Sequence, residues 1–309
     1  MSRQTTAPSI SVIIPLFNKA RHVRTALESV LAQTVPPAEI IVVDDASTDG
    51  GADIVRSVGD DRIRVLTRDE PGPGGYAARN VAIENANGEW IAFLDADDYW
   101  REDHLERISV AIESAVRPEV VFTNYSVRKG GDRAIVKNEQ VDGRPVVAPL
   151  RRGEALAWFA GSDFMHTSGT AVRTEVLRDL GAFPAGEALR GGDSDLWLRL
   201  ILADKRIAYL SEPTSVFVQE HSEIITSASN LQLPHIVGAR RRRYGKLCRD
   251  RSERELLARL ANRKTLSRIS QGIDGGAARL LDFRHLVWWK LSRNQLKRAI
   301  RLLRRTLRA

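Results

Sequence analysis

Over the first 115 residues, short apolar runs alternate with stretches whose apolar positions fall three and four apart. The first pattern predicts buried strands and the second predicts amphipathic helices. Ile10 to Pro15 reads as a strand, closed by Pro15 and a loop of Leu16-Phe17-Asn18. From Lys19 to Gln33, Val23, Ala26, Leu27, Val30 and Leu31 keep helical spacing. After Pro36-Pro37, Glu39 to Val43 is a β-branched run suited to a strand covered on both faces. A helix is expected from about Ala52, a third strand over Arg62 to Leu66, and a helix over Tyr76 to Asn85. Trp90 to Leu94 is the fourth strand, with a helix from about Arg101. This alternation predicts an α/β fold with a mainly parallel sheet, right-handed crossovers and flanking helices.

Beyond residue 115 the rhythm changes. Val120 to Val127 reads as a strand with Arg133 to Val136 as a hairpin partner, and residues 138–152 as a surface loop. Gly153 to Phe159 reads as a short helix, Thr170 to Arg173 as a strand and Thr174 to Leu180 as a helix. Asp193 to Ala203 is a helix whose apolar face holds Leu196, Trp197, Leu200 and Ile201. Ile207 to Leu210 and Thr214 to Val218 read as two strands, and from 235 onward the pattern is helical.

Charge divides the chain where periodicity alone does not. Residues 235–309 carry 22 Lys/Arg against 5 Asp/Glu; residues 1–234 carry 25 against 34. A net charge of +8 therefore conceals an acidic body, 1–234, and a basic helical C-terminal region, 235–309. Cys248 is the only cysteine, which excludes a disulfide framework and a cysteine metal site. No window approaches the roughly 18 apolar residues of a spanning helix, and the polar start lacks a signal-peptide core. The expectation is a cytoplasmic protein.

The strand Trp90 to Leu94 runs into Asp95, Asp97 and Asp98. Open α/β sheets bind ligands at the carboxyl ends of their strands. Three like charges this close repel one another unless a cation neutralises them. Oxygen donors of this kind suit Mg2+ or Mn2+, which commonly link a carboxylate to a diphosphate. Capping of the following helix would explain one Asp but not three. Asp44 and Asp45 end the second strand in the same way, ahead of Ala46-Ser47-Thr48-Asp49-Gly50-Gly51. Two readings stand for this loop: helix capping, or hydrogen bonding of Asp45 to a uracil N3–H or ribose hydroxyls. Pro71-Gly72-Pro73-Gly74-Gly75 offers backbone amides for close approach to a ligand.

Taken in order, Pro15-Leu16-Phe17-Asn18, Val43 to Asp49, Gly74 to Asn80 and Phe93 to Asp98 resemble a family 2 glycosyltransferase with the GT-A, Rossmann-like fold, over roughly residues 9–222. The resemblance implies an inverting transferase of the cell-surface polysaccharide or glycolipid type. It would use a nucleotide-diphospho-sugar, a UDP-sugar foremost, and a divalent metal. It puts Pro15, Phe17 and Asn18 in the nucleotide pocket and Asp45 on the base. Gly75, Arg79, Asp95 and Ala96 come near the nucleotide, and Asp97 is the principal metal ligand. Asp193, in Gly191-Gly192-Asp193-Ser194-Asp195-Leu196-Trp197, aligns with the catalytic base, although Gly192 stands where the family often has Glu. The residue pattern alone also allows Asp193 to cap a helix, with Asp195 favourable to its dipole. His221 matches a histidine that completes the metal or diphosphate site in related enzymes. His166 falls in the acceptor loop and is assigned to the acceptor side. Trp158 and Trp197 could stack on a sugar, but core packing explains both.

In the basic region, Trp289, Leu296, Ile300, Leu303 and Leu307 are expected to share one face of a helix over about Leu286 to Leu307. Lys297, Arg298, Arg301, Arg304, Arg305 and Arg308 rim that face. Such a helix could rest on the inner membrane surface near a glycan or lipid-linked acceptor, dock on the body, or pair with a second copy as a homodimer. Nothing in the pattern is a nucleic-acid-binding signature. A sugar-nucleotide pyrophosphorylase would carry a basic Gly-rich loop after the first strand, which is absent. The remaining alternative is an inactive nucleotide-sugar-binding or membrane scaffold protein.

Overall fold

The computed structural model describes residues 8–130, 134–136, 146–219, 235–237, 239–274 and 280–307. Its first elements are β1 (Ile10–Leu16), α1 (Ala20–Leu31), β2 (Glu39–Asp45), α2 (Gly51–Arg56), β3 (Ile63–Arg68), α3 (Tyr76–Asn85), β4 (Trp90–Phe93), β5 (Tyr99–Trp100) and α4 (His104–Glu113). There follow β6 (Val120–Arg128), β7 (Ala134–Val136), β8 (Val147–Leu150), α5 (Arg152–Gly161), β9 (Thr170–Arg173), α6 (Thr174–Asp179), α7 (Gly192–Leu202) and β10 (Ile207–Val218). The last three are α8 (Ala239–Leu247), α9 (Arg251–Asp274) and α10 (Arg293–Thr306).

Packing groups these elements into two compact units. One comprises Met1–Arg151, Phe164–Ala185 and Lys205–His221; the other comprises Arg152–Asp163, Gly186–Asp204 and Ser222–Ala309. A cut at 234 follows charge, whereas the contacts divide the chain elsewhere. Helices α5 and α7 belong with the C-terminal helices because α5 packs against α9 and α7.

All the described strands lie in the first unit and form one sheet in the order β3-β2-β1-β4-β9-β6-β10-β5, with β7 on β6 and β8 on β10. Strands β3, β2, β1 and β4 are mutually parallel, as the alternation predicts. Strand β9 then runs antiparallel to both β4 and β6. Ile10, Val12, Ile14 and Leu16 alternate onto one face of β1 and pack with Val23, Leu27 and Val30 of α1. The two strands expected over 207–218 are one strand. Its register with β6 slips around Pro213, where the missing N–H would break a regular ladder.

Among its described residues, the second unit has helices and no strand. Its final helix starts later than expected, at Arg293, because Ser292 and Gln295 close a reciprocal capping box. The buried face of α10 is Ala299 and Leu302, against Leu266, Ile269, Phe283 and Leu286. Of the residues expected to share one face, Leu296, Ile300 and Leu307 point outward, and Leu303 reaches this core at its edge. The Trp289 side chain lies outside the described side chains.

Candidate active site

The carboxyl ends of β1, β2 and β4 are adjacent in the sheet, so their trailing loops meet. Asn18 takes a left-handed φ of 50°, a region asparagine tolerates better than most residues. Its Oδ1 accepts the Thr48 N–H at 2.8 Å, and its own N–H donates to Ser47 Oγ at 3.1 Å. Asp49 completes the stitching by accepting the Ala20 N–H at the start of α1 and the Gly51 N–H at the start of α2. Asp44 accepts the Ser47 N–H. The capping reading of this loop therefore applies to Asp49, not to Asp45. Phe17 stands 40% exposed beside these contacts.

Asp45 is buried, accepts the Gly72 N–H at 2.9 Å and pairs with Arg68. Gly75 has a φ of 65°, and an added Cβ would stand 3.2 Å from the Arg79 guanidinium and 3.3 Å from Pro15. A side chain there would be strained and crowded, so glycine lets this loop close onto β1. Arg79 is buried; it donates to the Gly74 carbonyl at 2.8 Å, pairs with Asp95 and lies over the Phe183 ring. Its Nε is buried with no hydrogen-bond partner among the described residues.

The three aspartates after β4 sit in different surroundings. Asp95, on the outer side, has a side chain 30% exposed. Asp97 faces the Lys19 ammonium at 3.1 Å. Burial, and then the charge of Asp95, raise the Asp97 carboxyl above the usual carboxylate range. Asp98 is fully enclosed, accepting from Ser168 Oγ at 2.5 Å and the Val218 N–H at 3.0 Å. Burial, followed by Asp95 and Asp97, pushes its carboxyl well up. Ala96 is buried between them. His166 stacks between Tyr125 and Phe217, with Nε2 3.8 Å from Asp98. That position is behind the carboxylate cluster, within the first unit. His221 lies outside the described residues.

In the second unit, α7 opens on Gly191, whose φ of 72° makes it the N-cap, so Asp193 is not the cap. Asp193 is half-buried in the first helical turn, and its carboxylate has no hydrogen bond or ion pair among the described residues. Asp195 is the opposite case. It is wholly buried, is bonded by the Tyr244 hydroxyl and by Arg199 Nε at 2.8 Å, and has His235 Nε2 at 3.9 Å. Ser194 between them accepts from Lys264 at 2.9 Å. Trp197 is buried in the core of this unit.

The model of glycosyl transferase family 2 matches residues 11–181, which span every loop of the first cluster. The chain belongs to this family. Among its relatives, the glycosyltransferase AglE of Haloferax volcanii is 34% identical over 195 residues, 61% of this chain. The chain spans 60% of the length of AglE. Among solved structures, S. aureus TarS (residues 1–349) in complex with UDP-GlcNAc superposes with a TM-score of 0.70 at 19% identity, covering 96% of this chain and 89% of that one. The mannosyltransferase PcManGT of Pyrobaculum calidifontis, in complex with GDP-Man and Mn2+, gives 0.59 at 22% identity, covering 98% and 87%. At these identities the likeness is one of fold, and it is the expected GT-A architecture.

For this family 2 chain the donor set at β4 fits a hard divalent cation. Asp97 is a half-buried oxygen donor whose charge is disfavoured by Asp95, and the Lys19 ammonium already sits beside it. Among the described residues no three His, Cys, Asp or Glu side chains converge to cage a metal. Mg2+ or Mn2+ held by one or two carboxylates needs none, since water and a diphosphate complete the shell. Sequence reading missed Lys19, Arg68 and Ser168. Lys19 had a signal, a cation directly after Asn18. Ser168 had none, because its role depends on β9 lying beside β4.

Proposed function

We propose that the chain is a metal-dependent, inverting glycosyltransferase moving a sugar from a nucleotide-diphospho-sugar to a hydroxyl of a glycan or lipid-linked acceptor. The observation that carries this is the row of three engaged carboxylates, Asp45, Asp95 and Asp97, each paired with a cation along adjacent strand ends. Asp45, held by Gly72 and Arg68, is oriented to accept from a base N–H or a ribose hydroxyl. Pro15, Phe17 and Asn18 form the wall of that pocket. Arg79, with a buried Nε to spare, keeps Asp95 facing the nucleotide and offers positive charge. Asp97 supplies the oxygen ligand for Mg2+ or Mn2+. A bound metal would neutralise the charge that develops on the leaving diphosphate.

Inversion by direct displacement needs one base to take the acceptor proton. Asp193 is suited to that role because its carboxylate is uncommitted among the described residues, whereas Asp195 is consumed by Tyr244 and Arg199. The roles of His166 on the acceptor side and His221 at the metal remain part of this proposal. The test is calorimetric titration of UDP, GDP and dTDP with and without Mn2+, paired with release of the same nucleotide from its sugar conjugate. Metal-dependent binding of one nucleotide supports the reading and names the donor class, UDP being expected. Binding of none would favour the scaffold alternative.

A further inference from the structure

Helix α10 has three stripes rather than two. Ala299 and Leu302 turn inward to the small core formed with α9 and the turns before α10. Leu296, Ile300, Leu303 and Leu307 recur at i, i+4, i+7 and i+11, one stripe along the helix surface. Of these, Leu296, Ile300 and Leu307 are 42%, 41% and 64% exposed. Arg293, Lys297 and Arg304, also four and seven apart and all exposed, form the neighbouring stripe, with Arg301, Arg305 and Arg298 beyond. The helix carries no acidic residue. Trp288, in the turn before it, is 42% exposed. No described helix is long and apolar enough to cross a membrane.

A docked helix needs only its inward stripe, and a solvated one would not present three exposed aliphatic residues beside a bank of cations. We propose that this outer face of α10, with Trp288, seats the protein on an anionic lipid surface. Leu296, Ile300 and Leu307 enter the acyl boundary, while Arg293, Lys297 and Arg304 extend their charged ends to phosphate headgroups. Charge complementarity selects this occupant over a second copy of the chain, whose α10 would bring the same positive charge into contact. The inference does not depend on the proposed transferase activity.

The test uses the full chain and vesicle co-sedimentation. Vesicles are phosphatidylcholine alone, or phosphatidylcholine mixed with phosphatidylglycerol. Wild type should bind the anionic vesicles, bind the neutral ones weakly, and release in high salt. The combined Arg293→Gln, Lys297→Gln and Arg304→Gln variant should lose about a hundredfold in partitioning. The combined Leu296→Gln, Ile300→Gln and Leu307→Gln variant should lose tenfold or more. Circular dichroism should be unchanged in both, since all six side chains are exposed. Failure of wild type to bind anionic vesicles overturns the proposal. So does full binding by the aliphatic variant, which would reduce the contact to ionic adsorption. A wild-type dimer in sedimentation velocity that the aliphatic variant dissolves would also overturn it, assigning the stripe to a second copy.

Discussion

Two clusters of aspartates, one after β4 and one opening α7, place the same residue type in opposite surroundings. After β4, Asp95 disfavours the charge of the half-buried Asp97, both disfavour that of the buried Asp98, and Lys19, Ser168 and the Val218 amide hold them in place. At α7, Asp193 and Asp195 stand two residues apart. Asp195 is sealed under Tyr244 and Arg199, and Asp193 makes no hydrogen bond or ion pair among the described residues. A strained cluster suits a cation, because neutralisation relieves the repulsion. An uncommitted carboxylate suits proton transfer, because it loses no partner on protonation. Burial and engagement, not residue identity, separate the two uses.

The sharpest way to break this contrast is Asp97→Ala. It should lower metal-dependent nucleotide affinity by more than a hundredfold while leaving the thermal midpoint within a few degrees of wild type. Next is Asp193→Asn, which should cut turnover by about 10²–10⁴-fold with nucleotide affinity unchanged. Equal loss of binding and turnover there would place Asp193 at the donor instead. Asp195→Asn should act on stability, by about 3–5 kcal/mol in urea unfolding, since it removes the wholly buried charge that pairs with Arg199 and accepts from Tyr244. A destabilisation under 1 kcal/mol would mean that Asp195 is not the structural member of the pair. The smallest effect belongs to Lys19→Met. With the competing ammonium gone, half-saturation by Mn2+ in the presence of UDP, followed by electron paramagnetic resonance, should need about threefold to tenfold less metal. A higher Mn2+ requirement would show that Lys19 supports the site rather than occupying it.

Much of the first cluster was legible in sequence because it is local. Strand periodicity located β1 to β4, and the Asp runs directly after β2 and β4 could only fall on one edge of a parallel sheet. Asp49 as a cap was likewise readable from its place before Gly50-Gly51. What sequence could not give depends on contacts distant along the chain. Ser168 reaches Asp98 only because β9 pairs beside β4 in the opposite direction. Tyr244, 49 residues from Asp195, decides which of two near-identical aspartates is sealed. The aliphatic stripe of α10 was legible from its spacing, but the separate inward face of Ala299 and Leu302 was not, because its partners Leu266, Ile269, Phe283 and Leu286 come from outside the helix. The division of the chain followed a charge boundary in sequence, but α5 and α7 join the helical unit through contacts distant along the chain, such as Arg152 with Glu253 and Ser194 with Lys264.

The most direct test of the division of labour is one calorimetric experiment on three proteins: UDP titrated into wild type, Asp97→Ala and Asp193→Asn, each with and without Mn2+. The account predicts Mn2+-dependent binding in wild type, the same binding in Asp193→Asn, and none in Asp97→Ala. Binding by Asp97→Ala that matches wild type, or that ignores Mn2+ in all three, would contradict it.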